Sequence, residues 1–177
     1  MFKKTLLIFI ISMPLLNFIH EAGHWTGYTL CRVPATMKFQ RVEVSEKNAG
    51  KIVSVIGAWS GPAVNLLTAG ISSLYPQQLA IVGLSAISHR LGAQIFGLPL
   101  YLGGKTKFTN DETILFPEKM RLFVCLIFIF AYGAGALKFC RPLGCKTVSL
   151  QAGVIILAAL CWIIYGLTLN QLDKFLP

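Results

Sequence analysis

The sequence predicts an all-α polytopic membrane protein with about five transmembrane helices and a short re-entrant β-hairpin between helices 1 and 2. Of its 177 residues, 55% are hydrophobic and 13% are charged, which is about half the charged fraction of an ordinary soluble domain. The mean hydropathy is +0.66. Long stretches without charge match the roughly 20 residues that a helix needs to cross the hydrocarbon core. They predict spans at about 5–30, 52–74, 77–102, 122–138 and 147–170.

The segments between these spans are too short to form a separate soluble core. We therefore expect one transmembrane domain over residues 1–177, with core helices in 5–115 and additional helices in 122–170. The amino-terminal MFKK and the apolar run after it resemble a signal peptide. The run continues past His20 without a small-residue cleavage site, which favours a retained first helix. The five cysteines are odd in number and lie mostly in or beside spans, so they suggest no disulfide framework.

The positive charge of the chain is distributed as in a multi-pass membrane protein and does not indicate a nucleic-acid partner. The net charge is +9. With five spans, ten lysines and arginines fall on the side that holds the loop after the first span, and five fall on the other side. Positive residues favour the cytoplasmic face. We therefore predict a bacterial inner-membrane protein with its amino terminus outside. Its oligomeric state is not determined by the sequence.

The first predicted span ends in the motif HEAGH, from His20 to His24. A charged side chain at the centre of a bilayer costs about 2.5–3.5 kcal/mol even on the lenient insertion scale, so these residues need a reason to be there. Histidines four apart lie on one face of a helix, where both can bind a single metal ion. Glu21 is then placed to act as a general base without being a ligand. Zn²⁺ suits this donor set and activates water at neutral pH.

Two features of the next segment also favour a site within the membrane. Residues 37–55 are rich in β-branched side chains and contain the turn signal Asn-Ala-Gly, which is compatible with a hairpin edge and equally with a solvated loop. An exposed edge could bind a substrate chain as an added strand. In the second span, Gly61 and Pro62 permit close helix approach, and Asn65 offers an amide to the helix bundle. These three residues are compatible with a kink and an interhelical hydrogen bond, or with holding substrate near the metal.

These motifs resemble the site-2 protease family of intramembrane zinc metalloproteases over residues 5–115. The resemblance rests on HEAGH in the first span, the segment with β character, and the Gly-Pro-x-x-Asn pattern of Gly61 to Asn65. It implies that Asp111, after the third span, is the third zinc ligand. Asp111 falls on the same predicted side of the membrane as His24, as the resemblance requires. Glu112 and Asp173 remain alternatives on that side.

The third span departs from the family pattern. Members commonly carry Asn-x-x-Pro before an Asp-Gly pair, whereas Phe96 stands three positions before Pro99, and Glu112 follows Asp111. Gln94 could supply the missing amide. The same span holds His89 and Arg90, which could break it into two half-helices or pair with a buried carboxylate such as Glu21.

The function that the sequence predicts is intramembrane zinc metalloendopeptidase activity on membrane-spanning protein substrates. Glu21 is the expected catalytic residue, with His20, His24 and Asp111 as metal ligands and Gly61, Pro62 and Asn65 as substrate-binding residues. The expected partners are a transmembrane substrate and the lipid bilayer, with the active site toward the cytoplasm. The alternative is a zinc-binding membrane protein without proteolysis, either a metal carrier or an inactive protease relative that binds membrane partners. Glu21 favours the enzyme, because metal binding alone does not need a carboxylate beside the first histidine.

Overall fold

The computed structural model describes residues 2–38, 41–44, 50–104 and 111–172, which form five long helices and one small hairpin. The first helix is followed by two short strands, and a single-turn 3₁₀ helix precedes the fourth long helix. The elements are α1 (Phe2–Leu30), β1 (Ala35–Met37), β2 (Val42–Val44), α2 (Lys51–Leu74), α3 (Pro76–Leu102), a 3₁₀ helix (Glu118–Met120), α4 (Arg121–Cys140) and α5 (Val148–Leu172).

The five long helices coincide with the predicted spans to within a few residues. Together with the 3₁₀ helix before α4, they supply five apolar stretches long enough to cross a membrane: Thr5–Leu30, Ile52–Leu74, Pro76–Leu102, Glu118–Cys140 and Val148–Leu169. Their outward faces carry large apolar side chains, such as Ile11 on α1, Phe130 on α4 and Ile164 on α5, each more than half exposed. An apolar surface of this extent is typical of an interaction with lipid or protein. The architecture is compatible with a multi-pass membrane protein.

The predicted hairpin is present, but its turn is earlier in the chain than the Asn-Ala-Gly signal indicated. Strands β1 and β2 are antiparallel, with Ala35 opposite Val44 and Met37 opposite Val42. The Lys38 amide donates to the Arg41 carbonyl (2.8 Å), which continues the pairing of the two strands to these residues. Asn48 and Ala49 lie outside the described residues, and residues 51–55 begin α2. The strands pair here because Val42–Val44 supplies the β-branched residues nearest to β1.

Exposed charges border this hairpin, and one hydrogen bond attaches it to α1. Arg41 and Lys38 pair with Glu43 at 2.7 and 3.3 Å. Hydrogen bonds from Arg41 and Lys38 hold the pKa of Glu43 below its usual value. The Trp25 indole donates to the Ala35 carbonyl (3.1 Å). The hairpin therefore lies beside the end of α1 that carries the HEAGH motif.

Helix α3 is the central helix of the bundle and packs against α1, α2, α4 and α5. It remains a single helix through His89 and Arg90, so the predicted alternative of two half-helices is wrong. Helix α2 is likewise continuous through Pro62. Core side chains such as Leu84, Tyr132 and Trp162 fill the space between α3, α4 and α5. Because α3 has neighbours on most sides, its central polar residues Ser88, Arg90 and Gln94 are buried among other helices.

Candidate metal centre

His20 and His24 lie on one face of α1 with their imidazole rings in contact, as the four-residue spacing predicted. Their Nε2 atoms are 3.0 Å apart, and the rings meet edge to face. The side chains are buried, with relative exposures of 3% for His20 and 8% for His24. Two nitrogen donors at this distance converge on a point that one metal ion could occupy.

Asp111 is the carboxylate that completes this group. Its Oδ2 atom lies 3.5 Å from Nε2 of His20 and 3.5 Å from Nε2 of His24. Within the described part of the chain, His20, His24 and Asp111 form a group that could hold a metal ion, with ligand atoms within 4.8 Å of one another. Two other carboxylates were alternative candidates for the third ligand. Glu112 is fully buried and contacts other partners, and Asp173 lies outside the described residues.

The surroundings of Asp111 stabilise its charged form. The side chain is partly exposed, at 32%, in an irregular turn after α3. Burial alone would raise the pKa of Asp111, but the positive charge of the nearby Arg90 guanidinium outweighs it and holds the pKa well below its usual range. A carboxylate that stays ionised is the form that a metal ion requires.

A backbone carbonyl of α2 fixes the orientation of His24. The Nδ1 atom of His24 lies 2.7 Å from the Gly57 carbonyl oxygen, which can only accept, so Nδ1 carries the proton. Nε2 then carries the lone pair and points toward His20 and Asp111. Metal-binding histidines usually donate a hydrogen bond from the N–H of their second ring nitrogen to a carbonyl or carboxylate in this way.

Glycines on α2 provide the space for this contact. A Cβ at Gly61 would overlap the imidazole of His24, and a Cβ at Gly57 would overlap the ring of Tyr28. Gly61 therefore permits the approach of the two helices that the sequence predicted. Gly61 lies against the imidazole of His24. The substrate-binding roles of Gly61 and Pro62 stay predictions.

Gly61→Val is expected to displace His24 and to weaken the contact between α1 and α2. Overpacking of this kind costs about 1–3 kcal/mol, so the thermal midpoint in detergent and the bound metal should both fall. Gly70→Val is the matched control, because Gly70 lies on the same helix and a Cβ there meets no atom within 4 Å. Equal midpoints and equal metal content in the two variants would contradict the proposed packing of His24 on Gly61.

The buried guanidinium of Arg90, on α3, contacts two members of the candidate ligand group, His20 and Asp111. Its Nη1 atom lies 3.1 Å from Nε2 of His20, and its Nη2 donates to Asp111 Oδ2 at 3.0 Å. The guanidinium also makes a two-pronged ion pair with Glu112, at 2.8 Å to Oε1 and 2.7 Å to Oε2. From the sequence, a buried carboxylate such as Glu21 was a possible ion-pair partner of Arg90. The structure pairs Arg90 with Glu112 and Asp111.

The sequence did not predict the buried, hydrogen-bonded position of Glu112. It is fully buried and accepts hydrogen bonds from Gln94 Nε2 (2.8 Å) and the Tyr132 hydroxyl (2.9 Å) in addition to Arg90. Gln94, considered from the sequence as a substitute amide, therefore contacts Glu112. The signal available in the sequence was the pairing of one arginine inside a span with two adjacent carboxylates in the next loop.

Asn65 makes the interhelical hydrogen bond that the sequence allowed. Its Nδ2 atom lies 2.8 Å from Nδ1 of His89 and 3.4 Å from the Ala86 carbonyl, and its side chain is 1% exposed. His89 stacks on Trp162 of α5 with ring centroids 4.1 Å apart and meets His20 edge to face at 4.7 Å. The predicted contact between Asn65 and substrate stays a prediction.

A cavity of about 270 Å³ between α1, α3 and α5 reaches this region. Glu21 and His89 line it together with apolar and aromatic residues that include Phe96 and Trp162. Glu21 follows His20 directly on α1 and is buried, at 7% exposure. The cavity therefore lies next to the carboxylate that the motif predicts as the base.

Comparison with known proteins identifies no relative of this chain. No protein-family model, no curated protein and no solved structure matches it. The resemblance to site-2 proteases therefore stays a prediction that rests on the motifs of the sequence.

Proposed function

We propose that this protein is an intramembrane zinc metalloendopeptidase, similar to site-2 proteases, that hydrolyses peptide bonds of membrane-spanning proteins. The observation that carries this proposal is the convergence of the two His Nε2 atoms and Asp111 Oδ2, at mutual distances of 3.0, 3.5 and 3.5 Å. Two histidines and a carboxylate form a donor set that catalytic zinc sites use, with a fourth position left for water or substrate.

The distances fit zinc. Tetrahedral zinc with bonds of about 2.0–2.2 Å places its ligand atoms about 3.3–3.6 Å apart. The two distances from Asp111 lie in this range, and the distance between the histidines is slightly shorter. A small rotation of either imidazole would complete the geometry.

The arrangement of lone pairs supports a cation at the same point. Nε2 of His24 carries a lone pair because Nδ1 donates to Gly57. Nε2 of His20 faces the Arg90 guanidinium, which can only donate, so it also carries a lone pair. With both rings neutral, two lone pairs 3.0 Å apart repel each other unless a shared cation satisfies both.

The charges around Arg90 favour a cation at the ligand group. Among the described residues that pair there, Asp111 and Glu112 contribute two negative charges and Arg90 contributes one positive charge. The remaining negative charge is costly away from water, and a bound cation would offset it. This balance counts the histidines as neutral, which is the form that binds metal.

In the proposed mechanism Glu21 moves the proton. When bound, zinc supplies an acidified water and polarises the peptide carbonyl. The Glu21 carboxylate takes a proton from the attacking water and returns it to the leaving amine. His24 is held in one orientation by Gly57, and the cavity beside Glu21 holds the substrate chain.

The proposed substrates are transmembrane proteins, because the site lies among helices that are themselves long and apolar enough to span a membrane. We place the amino terminus outside the bacterial inner membrane and the site toward the cytoplasm, on the asymmetry of lysine and arginine between the two sides. The non-proteolytic alternative shares the metal centre and differs only in the absence of cleavage.

The direct test is metal analysis combined with cleavage by the purified protein in detergent. We expect about one zinc per chain, as for a single His₂-carboxylate site, and cleavage of casein or of a tagged single-span protein. Treatment with 1,10-phenanthroline should remove both the zinc and the activity, and added Zn²⁺ should restore them. Zinc binding without cleavage of either probe would favour the non-proteolytic alternative, and a protein that binds no zinc would exclude both.

A further inference from the structure

The Arg90 guanidinium contacts the candidate metal ligands without belonging to the donor set. Its Nη2 atom donates to Oδ2 of Asp111 (3.0 Å), the same oxygen that faces both histidines. Asp111 lies in an irregular turn, and its side chain is 32% exposed. Its own backbone therefore fixes the carboxylate less firmly than a helix fixes His20 and His24.

Glu112 holds the guanidinium in one position. The pair is two-pronged, with Nε of Arg90 at 2.8 Å and Nη2 at 2.7 Å from the two Glu112 oxygens. This geometry defines both the place and the plane of a guanidinium. Gln94 and Tyr132 in turn donate to Glu112, and the carboxylate is fully buried. A chain of contacts thus runs from α3 and α4 to the ligand oxygen of Asp111.

Only one of the two contacts between Arg90 and the site is compatible with a bound metal. A carboxylate oxygen has two lone pairs, so Asp111 Oδ2 can accept from Nη2 and still bind a cation. Nε2 of His20 has a single lone pair, so its contact with Nη1 at 3.1 Å must be given up. The contact between Arg90 and Asp111 is therefore the one that persists in the loaded site.

We propose that Arg90, anchored by Glu112, is a positioning residue that holds Asp111 Oδ2 beside His20 and His24 and so raises the affinity of the site for a divalent cation. Glu112 is its anchor and not a ligand. This inference rests on the metal centre of the proposed function. It adds a group outside the ligand set, and substitution of such groups typically lowers metal affinity by about 10–100-fold.

The experiment measures Zn²⁺ affinity in detergent by competition with a chromophoric chelator, and the visible absorption of bound Co²⁺. Glu112→Gln removes the charge that holds Arg90, so Arg90 pairs with Asp111 alone and competes with the metal. We expect Zn²⁺ affinity to fall by about 10–100-fold and the Co²⁺ spectrum to change.

A double variant separates this effect from misfolding. Arg90→Gln together with Glu112→Gln removes both charges of the fully buried pair, so neither member of that pair is left as an unpaired ion, and the amide oxygen at position 112 can still accept from Gln94 or Tyr132. Its thermal midpoint without metal should stay near the parental value, while its zinc affinity falls as in the single variant. Arg90→Lys keeps the charge without the two-pronged geometry and should give an intermediate affinity.

The matched control is the exposed pair of the hairpin, Arg41→Gln with Glu43→Gln, which has the same chemistry at 2.7 Å and should not alter zinc binding. Parental zinc affinity in the Arg90/Glu112 double variant would overturn the proposal. Loss of zinc in Glu112→Gln with parental affinity in Arg90→Lys would also overturn it, because Glu112 would then be a ligand. A parent that binds neither Zn²⁺ nor Co²⁺ would instead refute the metal centre itself, and this inference with it.

Discussion

Replacing Glu21 with glutamine is expected to leave zinc bound and to lower the rate of peptide cleavage by about 10²–10⁴-fold. The amide keeps the shape of the side chain, but it cannot accept and return a proton. Glu21 adjoins His20 on α1 and lines the cavity beside the metal centre, and it is not a member of the candidate ligand group. Zinc content per chain and cleavage of the single-span protein are the two measurements.

Glu43→Gln is the control for this prediction, since it makes the same chemical change at a carboxylate on the exposed hairpin. It should retain both zinc and activity. Full cleavage by Glu21→Gln would refute the mechanism. Loss of zinc in Glu21→Gln would show that Glu21 acts as a ligand and would reopen the assignment of Asp111.

The double variant His20→Ala, His24→Ala is expected to lose both its zinc and its cleavage activity. It removes two of the three donors, and Asp111 with water alone binds zinc weakly. Asp111→Asn should have a related but smaller effect, because a neutral amide is a poor zinc ligand and leaves the charge of the cluster unbalanced. Zinc content measured on the purified, folded protein decides the outcome.

His89→Gln provides the control for the histidine variants. His89 is a third histidine, partly buried, whose ring lies 4.7 Å from that of His20, but its Nδ1 contacts Asn65, and it is not in the candidate ligand group. This variant should keep its zinc. Unchanged zinc in the His20 and His24 double variant would end the metalloprotease proposal. Unchanged zinc and cleavage in Asp111→Asn would remove only the third ligand.

The parts of the fold that the sequence predicted correctly follow from local rules. The five long apolar helices were predictable because the thickness of the hydrocarbon core fixes the length of an uncharged helix that could cross it. The meeting of His20 and His24 was predictable because a helix places residues four apart on one face, and the structure brings their Nε2 atoms to 3.0 Å. The hairpin was predicted from its β-branched residues, but its turn was not.

Only the tertiary structure decided how groups far apart in the sequence meet. Asp111 and Glu112 are adjacent carboxylates in one loop, and no local rule indicates which of them faces the histidines. The packing of α3 against α1 and α4 places Asp111 Oδ2 3.5 Å from both histidines. The same packing buries Glu112 against Arg90, Gln94 and Tyr132.

The sequence by itself determined the helices and the residue types available to a metal, because these depend on length, periodicity and burial cost. Which carboxylate faces the histidines and which one anchors Arg90 depends on contacts about twenty residues or more apart, and such contacts form only when the helices pack.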